Sequence, residues 1–433
     1  MTGRRRTRQG AALRSLVQHA DARAVAGGYG LIRAASPRLV AAGNRFDGPV
    51  PADVSAPVAA DAPAFFAAAS VLHLEDGYSY AGRSIGALLR GDRGCASHMA
   101  YYAELRAALA LLAANGLLTL HTVVFSLGPG GALRRECPGL GTHRLAWRLL
   151  DHWSRRTAAF ELLCDALRPF GVPLRDWLQA ATAPGLSAPA QATAQHWLRA
   201  WSLDLQRMDA DHTARNRFSY NPTRLYPRPA FAAQPFVTRT WRLLEPTPGS
   251  PFAAFDRHLL RAIVDFVVAR TVAEAEAQAS DRADEDAPSA LASTPAEALD
   301  RYVAAARGWA GDGPWEAFLR RAGPHAADAP LVTFAAGRDD NPWCLLSRAL
   351  ILLRVAAGAV RSGMSAAGVV GAPELASWAH ALALERSLVG APVEDLHDLW
   401  DDIEVALAAA APGDEMLRRL ETSERVALWA VAA

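Results

Sequence analysis

The stretch from Trp343 to Val360 limits this chain more than any other feature, because it is a long apolar run carrying only two charges, Arg348 and Arg354. A run of that length either spans a membrane or forms a helix buried inside a protein. Each arginine would cost roughly 2.5–3.5 kcal/mol at the bilayer centre, so a core helix is expected. Such a helix needs a large body around it. The chain has 433 residues, of which 51% are hydrophobic and 21% charged, with a net charge of +1. That is the composition of a globular protein of two or three domains, with no overall charge excess to advertise nucleic acid.

The sequence contains no lysine, so all of its positive side chains except histidine are arginine. We read this as the mark of a GC-rich bacterial genome. It also excludes chemistry that needs a lysine amine: a Walker A phosphate loop, a protein-kinase lysine, a pyridoxal Schiff base and a serine–lysine dyad. No cofactor is expected. Cys95, Cys137, Cys164 and Cys344 form no CxxC pair, which speaks against a zinc ribbon or redox motif and for a reducing compartment. The first ten residues hold Arg4, Arg5, Arg6 and Arg8, but Arg14, His19, Asp21 and Arg23 interrupt the apolar stretch a signal peptide would need. A basic arm on a cytoplasmic protein is expected, with no membrane partner.

Proline-, alanine- and glycine-rich stretches at Asp47–Pro63, Ala183–Ala190, Asn221–Pro235 and Glu245–Pro251 punctuate the chain. The acidic segment Ala273–Ser293 reads as a linker or a long exposed helix end, and Thr294-Pro295-Ala296-Glu297 as the start of a new helix. The expected organisation is a basic arm and helix over 1–59, a helical domain with a β-hairpin over 60–235, and a C-terminal helical domain over 236–433. The fold class is mainly α.

Ser97–Asn115 is the clearest helix: Tyr102, Leu105, Leu109 and Leu112 recur at three and four, and Gly116 supplies a stop. Leu117–Leu127 reads as a strand running into the turn Gly128-Pro129-Gly130-Gly131, with a return strand through Leu133. Further helices are expected over Thr142–Arg155, Phe252–Ala269, Ala296–Ala310, Asn341–Val360 and Val393–Ala409. A helix from about Ala192 towards Phe218 would align Trp197, Trp201, Leu205 and Met208 on one arc, and its extension would add His212, Arg215 and Ser219. That stripe either packs in the core with its polar end in solvent or lines a pocket where the helix meets a partner.

Three segments together suggest a family. Ser97-His98-Met99-Ala100-Tyr101-Tyr102-Ala103-Glu104-Leu105-Arg106, then Gly141-Thr142-His143 opening a helix, then Arg215-Asn216 before Ser219-Tyr220-Asn221-Pro222, resemble prokaryotic HEPN-like helical proteins over about 60–225. The resemblance implies an all-α bundle that often dimerises. Many members are metal-independent ribonucleases of toxin–antitoxin and antiviral systems. Their active motif pairs an arginine and a polar residue with a histidine four to six residues on. Here Arg215-Asn216 fits the start, but Tyr220 stands where the histidine would be. Tyrosine, with an ordinary pKa near 10 against about 6.5 for histidine, is a poor general base at neutral pH. His212, one turn before Arg215, is the available substitute.

Other patterns have plainer readings. Arginine–histidine pairs at the motif's spacing recur at Arg14/His19, Arg93/His98, Arg207/His212 and Arg320/His325, as expected in an arginine-rich chain. Gly82-Arg83-Ser84-Ile85-Gly86 matches the GxSxG nucleophile elbow but lacks the preceding strands, so an ordinary serine at a helix start is expected. Glu394, Asp395, His397, Asp398, Asp401, Asp402 and Glu404 form an acidic cluster. His397-Asp398 is similar to the metal pair of HD phosphohydrolases, while a solvated acidic helix face explains the cluster as well. The expected function is a non-catalytic interaction subunit of a bacterial nucleic-acid-directed defence or stress complex, working with other protein subunits or as a homodimer and contacting RNA or DNA. The alternatives are a metal-independent ribonuclease using Arg215 and Asn216 with His212 or Tyr220, and a metal phosphohydrolase.

Overall fold

A computed structural model describes residues 2–34, 61–89, 91–120, 122–187, 193–205, 216, 243, 252–281, 291–321 and 341–369. Outside these lie the proline-rich stretches at 47–60, 221–235 and 245–251, the helix expected over Val393–Ala409 and the acidic cluster around His397. The described residues are mainly α-helical with one small antiparallel sheet. In order they form α1 (Thr2–His19), α2 (Ala22–Ala34), α3 (Ala62–Leu89), α4 (Arg93–Ala114), β1 (Leu117–Leu120), β2 (Val123–Leu127), β3 (Leu133–Glu136), α5 (Thr142–Trp153), α6 (Thr157–Ala166), α7 (Leu174–Ala180), α8 (Ala194–Ala200), α9 (Ala253–Asp281), α10 (Pro295–Ala310), α11 (Pro314–Arg320) and α12 (Pro342–Ala366).

The apolar run becomes α12, and every residue from Pro342 to Val360 is buried. Asn341 caps the helix by accepting from the Trp343 amide at 3.2 Å. Among the described residues α12 alone is long and apolar enough to cross a membrane, yet its apolar window lies wholly inside the bundle, against α4, α3, α6 and α2. Two of its arginines, the buried Arg348 and Arg354, face carboxylates from other helices. Arg354 grips Asp256 of α9 with Nε and Nη2, each at 2.8 Å, and donates to the Ala166 carbonyl at the end of α6. The Arg168 amide also donates to Asp256. Burial pushes the Asp256 carboxyl up from its ordinary range, and the Arg354 charge and these hydrogen bonds oppose that rise. Arg348 faces Glu104 of α4 at 3.7 Å, with the two side chains 4% and 0% exposed.

Helices α3 and α4 form an antiparallel pair. Asp92 caps α4 by accepting from the Cys95 amide, and Gly116 ends the helix segment at φ +81. A Cβ at Gly116 would lie 2.8 Å from the Leu127 carbonyl oxygen and 3.0 Å from the Asp21 nitrogen, so this turn admits only glycine. The next stretch is two strands rather than the single one expected. The chain reverses between Leu120 and Val123, placing Leu117 opposite Ser126, and β3 then pairs with β2, Leu133 opposite Leu127. The sheet is therefore a three-stranded meander whose first turn carries no glycine or proline signal in the sequence.

The helix expected from Ala192 to Phe218 is also corrected, because α8 stops at Ala200. Ser202 takes a left-handed conformation (φ 64), its amide bonds Arg199, and the Leu203 amide bonds Leu198. This is a Schellman-type stop with serine in the glycine position. Trp197 and Trp201 are buried, and the Trp201 indole donates to the Leu259 carbonyl at 3.0 Å. The tryptophan stripe is thus core, and α8 does not carry it on to residues 212–219.

The end of α9 from Glu276 to Ser280 is exposed, the long helix end that the acidic segment suggested. At α10, Thr294 accepts from the Glu297 amide at 3.2 Å and the Glu297 carboxylate accepts from the Ser293 amide at 3.0 Å. Described residues on both sides of the boundary expected near 235 share one apolar cluster, which runs from Leu13 to Val369.

Candidate functional site

The paired helices α3 and α4 present matching polar stripes. On α4, His98, Tyr102 and Arg106 are spaced four apart; on α3, Asp76, Tyr80 and Arg83 follow at four and three. Because the helices are antiparallel, Asp76 meets Arg106 at 3.3 Å while Tyr80 stacks on Tyr102, centroids 5.2 Å apart. Tyr102 is the hub. His98 tilts against it at 5.0 Å, Tyr101 meets it edge-on at 5.9 Å and His143 does so at 6.1 Å. Tyr80, His98, Tyr102 and His143 are half-buried and Arg83 is exposed, its guanidinium 6.0 Å from the Tyr80 ring centre.

The deeper members are committed to one another. The buried Tyr101 hydroxyl and His143 Nδ1 share a hydrogen bond of 2.6 Å, with the two rings stacked at 5.5 Å. That bond joins the Ser97–Arg106 segment to the start of α5. Arg106 Nη1 donates to His73 Nδ1 at 2.8 Å, which requires that nitrogen to be unprotonated. Burial, with the Arg106 charge second, pushes the His73 imidazole down to about 3.

Of the residues predicted from sequence, Arg215, His212 and Tyr220 lie outside the described residues; Asn216 is helical and half-buried. The GxSxG serine is inside α3 near its end, not at a helix start or a strand-to-helix turn, and Ser84 Oγ donates across to the Ala96 carbonyl at 2.8 Å. It fixes α3 to α4 and is not placed as a nucleophile. Among the described residues no group of three or more histidine, cysteine, aspartate or glutamate side chains is arranged to hold a metal ion. The sequence reading missed His73, Asp76 and Tyr80, for which the three- and four-residue spacing within one helix was the only signal.

The arrangement offers half-exposed ring faces at fixed spacing beside a guanidinium, a surface for stacking and cation–π contact. No family model matches the chain, no curated protein matches its sequence, and no solved structure matches it.

Proposed function

We propose that the chain is a non-catalytic helical interaction subunit of a bacterial nucleic-acid-directed defence or stress complex, of the HEPN-like kind that its Ser97–Arg106 and Gly141–His143 segments resemble. The Tyr80–Tyr102–His98 cluster carries this reading. Aromatic rings and arginine are the residues that dominate interface energetics, and rings already fixed by two packed helices lose little freedom on binding. The acid–base groups nearby are engaged in holding the fold, His73 by Arg106 and His143 by Tyr101.

The test is affinity purification of the full chain from its native host, with Tyr102→Ala alongside. Wild type should retain a stable partner set that includes a nuclease, helicase or ATPase subunit. Tyr102→Ala should weaken that complex about tenfold or more, as loss of an aromatic anchor does, without changing the circular dichroism. Wild-type protein that stays monomeric and alone would refute the reading. Robust RNA cleavage by the isolated wild type in the presence of a chelator, lost in an Arg215→Ala variant that melts at the same temperature, would replace it with the ribonuclease alternative that uses Arg215 and Asn216 with His212 or Tyr220.

A further inference from the structure

Charge is unevenly spread along this chain. The segments Thr2–His19 and Leu133–Arg156 hold eleven arginines and only two carboxylates, Glu136 and Asp151, although the whole chain carries a net +1. The fold lays these segments together. Gln9 donates to the Pro138 carbonyl just before α5, and Arg156, just after it, donates to the Val17 and Ala20 carbonyls at the end of α1. Helices α1 and α5 therefore run side by side in the same direction. Strand β3 runs the opposite way along α1, since Arg134 lies within electrostatic reach of His19 while Pro138 is at Gln9.

Exposed arginines gather here: Arg14 on α1, Arg134 on β3, Arg144 and Arg148 on α5, and Arg155 just beyond it. Side chains alternate along β3, so Arg135 points to the other side of the strand while the exposed Glu136 shares the side of Arg134. Arg14, Arg148 and Arg155 all bear electrostatically on His152, whose pKa is lowered first by burial and then by these charges, against the opposing pull of Asp151. Arg155 already uses both oxygens of Asp151, at 2.9 and 3.0 Å. Among the described residues no carboxylate pairs with Arg14, Arg134, Arg135, Arg144 or Arg148. Like charges gathered with few counter-charges repel one another, a cost that a polyanion binding across them would relieve.

We propose that the face made by α1, β3 and α5 binds the sugar–phosphate backbone of a nucleic acid. The planar guanidinium fork matches phosphate oxygens, and a set of arginines on two parallel helices and an edge strand presents many such forks at once. A lipid surface fits less well, because the apolar side of α1, including Leu13, Leu16 and Val17, is buried in the protein and cannot enter a bilayer. Arg144 is next to His143 in the first turn of α5, so the basic face begins one residue along the chain from the aromatic cluster. The proposal takes its partner class from the function proposed above but rests on different residues.

The experiment titrates the full chain against fluorescein-labelled single-stranded RNA, single-stranded DNA and the duplex of each, followed by anisotropy over a range of salt concentrations. At least one should bind with an affinity that falls steeply with salt, by about 0.7–0.9 log units per log unit of salt for each phosphate contacted. The double variant Arg144→Glu/Arg148→Glu should lose about tenfold or more and flatten that slope, with an unchanged melting temperature and an unchanged protein partner set. Arg307→Glu, on α10, should bind as wild type does. Absent or salt-insensitive binding to all four probes, with the protein complex still formed, overturns this proposal and leaves the proposed function standing. Binding to phosphatidylserine vesicles or an acidic polypeptide, and to none of the nucleic acids, overturns it equally. Nucleic-acid binding that behaves as expected in a protein with no partner subunits supports the basic face and refutes the interaction-subunit reading instead.

Discussion

At the scale of single residues, His73 ties stability to pH. In the unfolded chain its imidazole titrates at its ordinary 6.5, and in the fold, buried and receiving a hydrogen bond from Arg106, at about 3. Between those values the unfolded state binds the extra proton. Stability from this residue is therefore complete above pH 6.5 and is lost as pH falls towards about 3. His73→Gln keeps an acceptor for Arg106 but cannot be protonated. Chemical denaturation should show wild type losing more stability than His73→Gln between about pH 7 and pH 4.5; equal losses would mean that His73 is not held neutral by the fold. The same physics governs Arg348 and Arg354. A buried guanidinium persists only because a carboxylate from another helix meets it, and the apolar run itself says nothing of where Glu104 or Asp256 will be.

At the scale of elements, signals confined to one segment were legible and pairings between segments were not. The α12 run, the three-and-four spacing of α4 and the Thr294-Pro295-Ala296-Glu297 start of α10 each announce themselves over a few turns. The Tyr80–Tyr102 stack and the Tyr101–His143 bond need two elements brought together at the right register, and no period in either segment specifies that. The end of α8 was hidden for a different reason. Its stop depends on Ser202 adopting a left-handed backbone that serine disfavours, so the spacing of Trp197, Trp201, Leu205 and Met208 points to a continuing helix. Beside it Trp197 and Trp201 are buried, the Trp201 indole is bonded to Leu259 of α9, and the Ser202 and Leu203 amides close on Arg199 and Leu198. Replacing a residue at positive φ with glycine removes that strain. Ser202→Gly should therefore raise stability by about 0.5–1 kcal/mol in thermal or urea unfolding, less the entropy that glycine adds to the unfolded chain. A loss of stability would show that the serine side chain itself is needed.

At the scale of the whole molecule, α12 binds distant parts of the sequence into one core. It packs on α2, α3 and α4 from the first part of the chain, and Arg354 joins it to α9 and to the end of α6. Phe255, Leu259, Leu260 and Ile263 of α9 belong to the same cluster as Trp153 and Leu163. A fragment ending at residue 235 would keep α1 to α8 but lose both α9 and α12. The faces of α3 and α4 on which α12 packs would then meet water. Each large apolar side chain exposed in this way forfeits roughly 1.5–3 kcal/mol, so a few of them exceed the 5–15 kcal/mol that typically holds a domain folded. The fragment expressed alone should be aggregated, or helical without cooperative melting and bright with a dye that binds apolar surface. Co-expression with residues 236–433 should restore a soluble complex with a single transition. If the fragment instead melts cooperatively by itself, as an independent domain over 60–235 would, the contacts of α12 contribute far less than their burial implies.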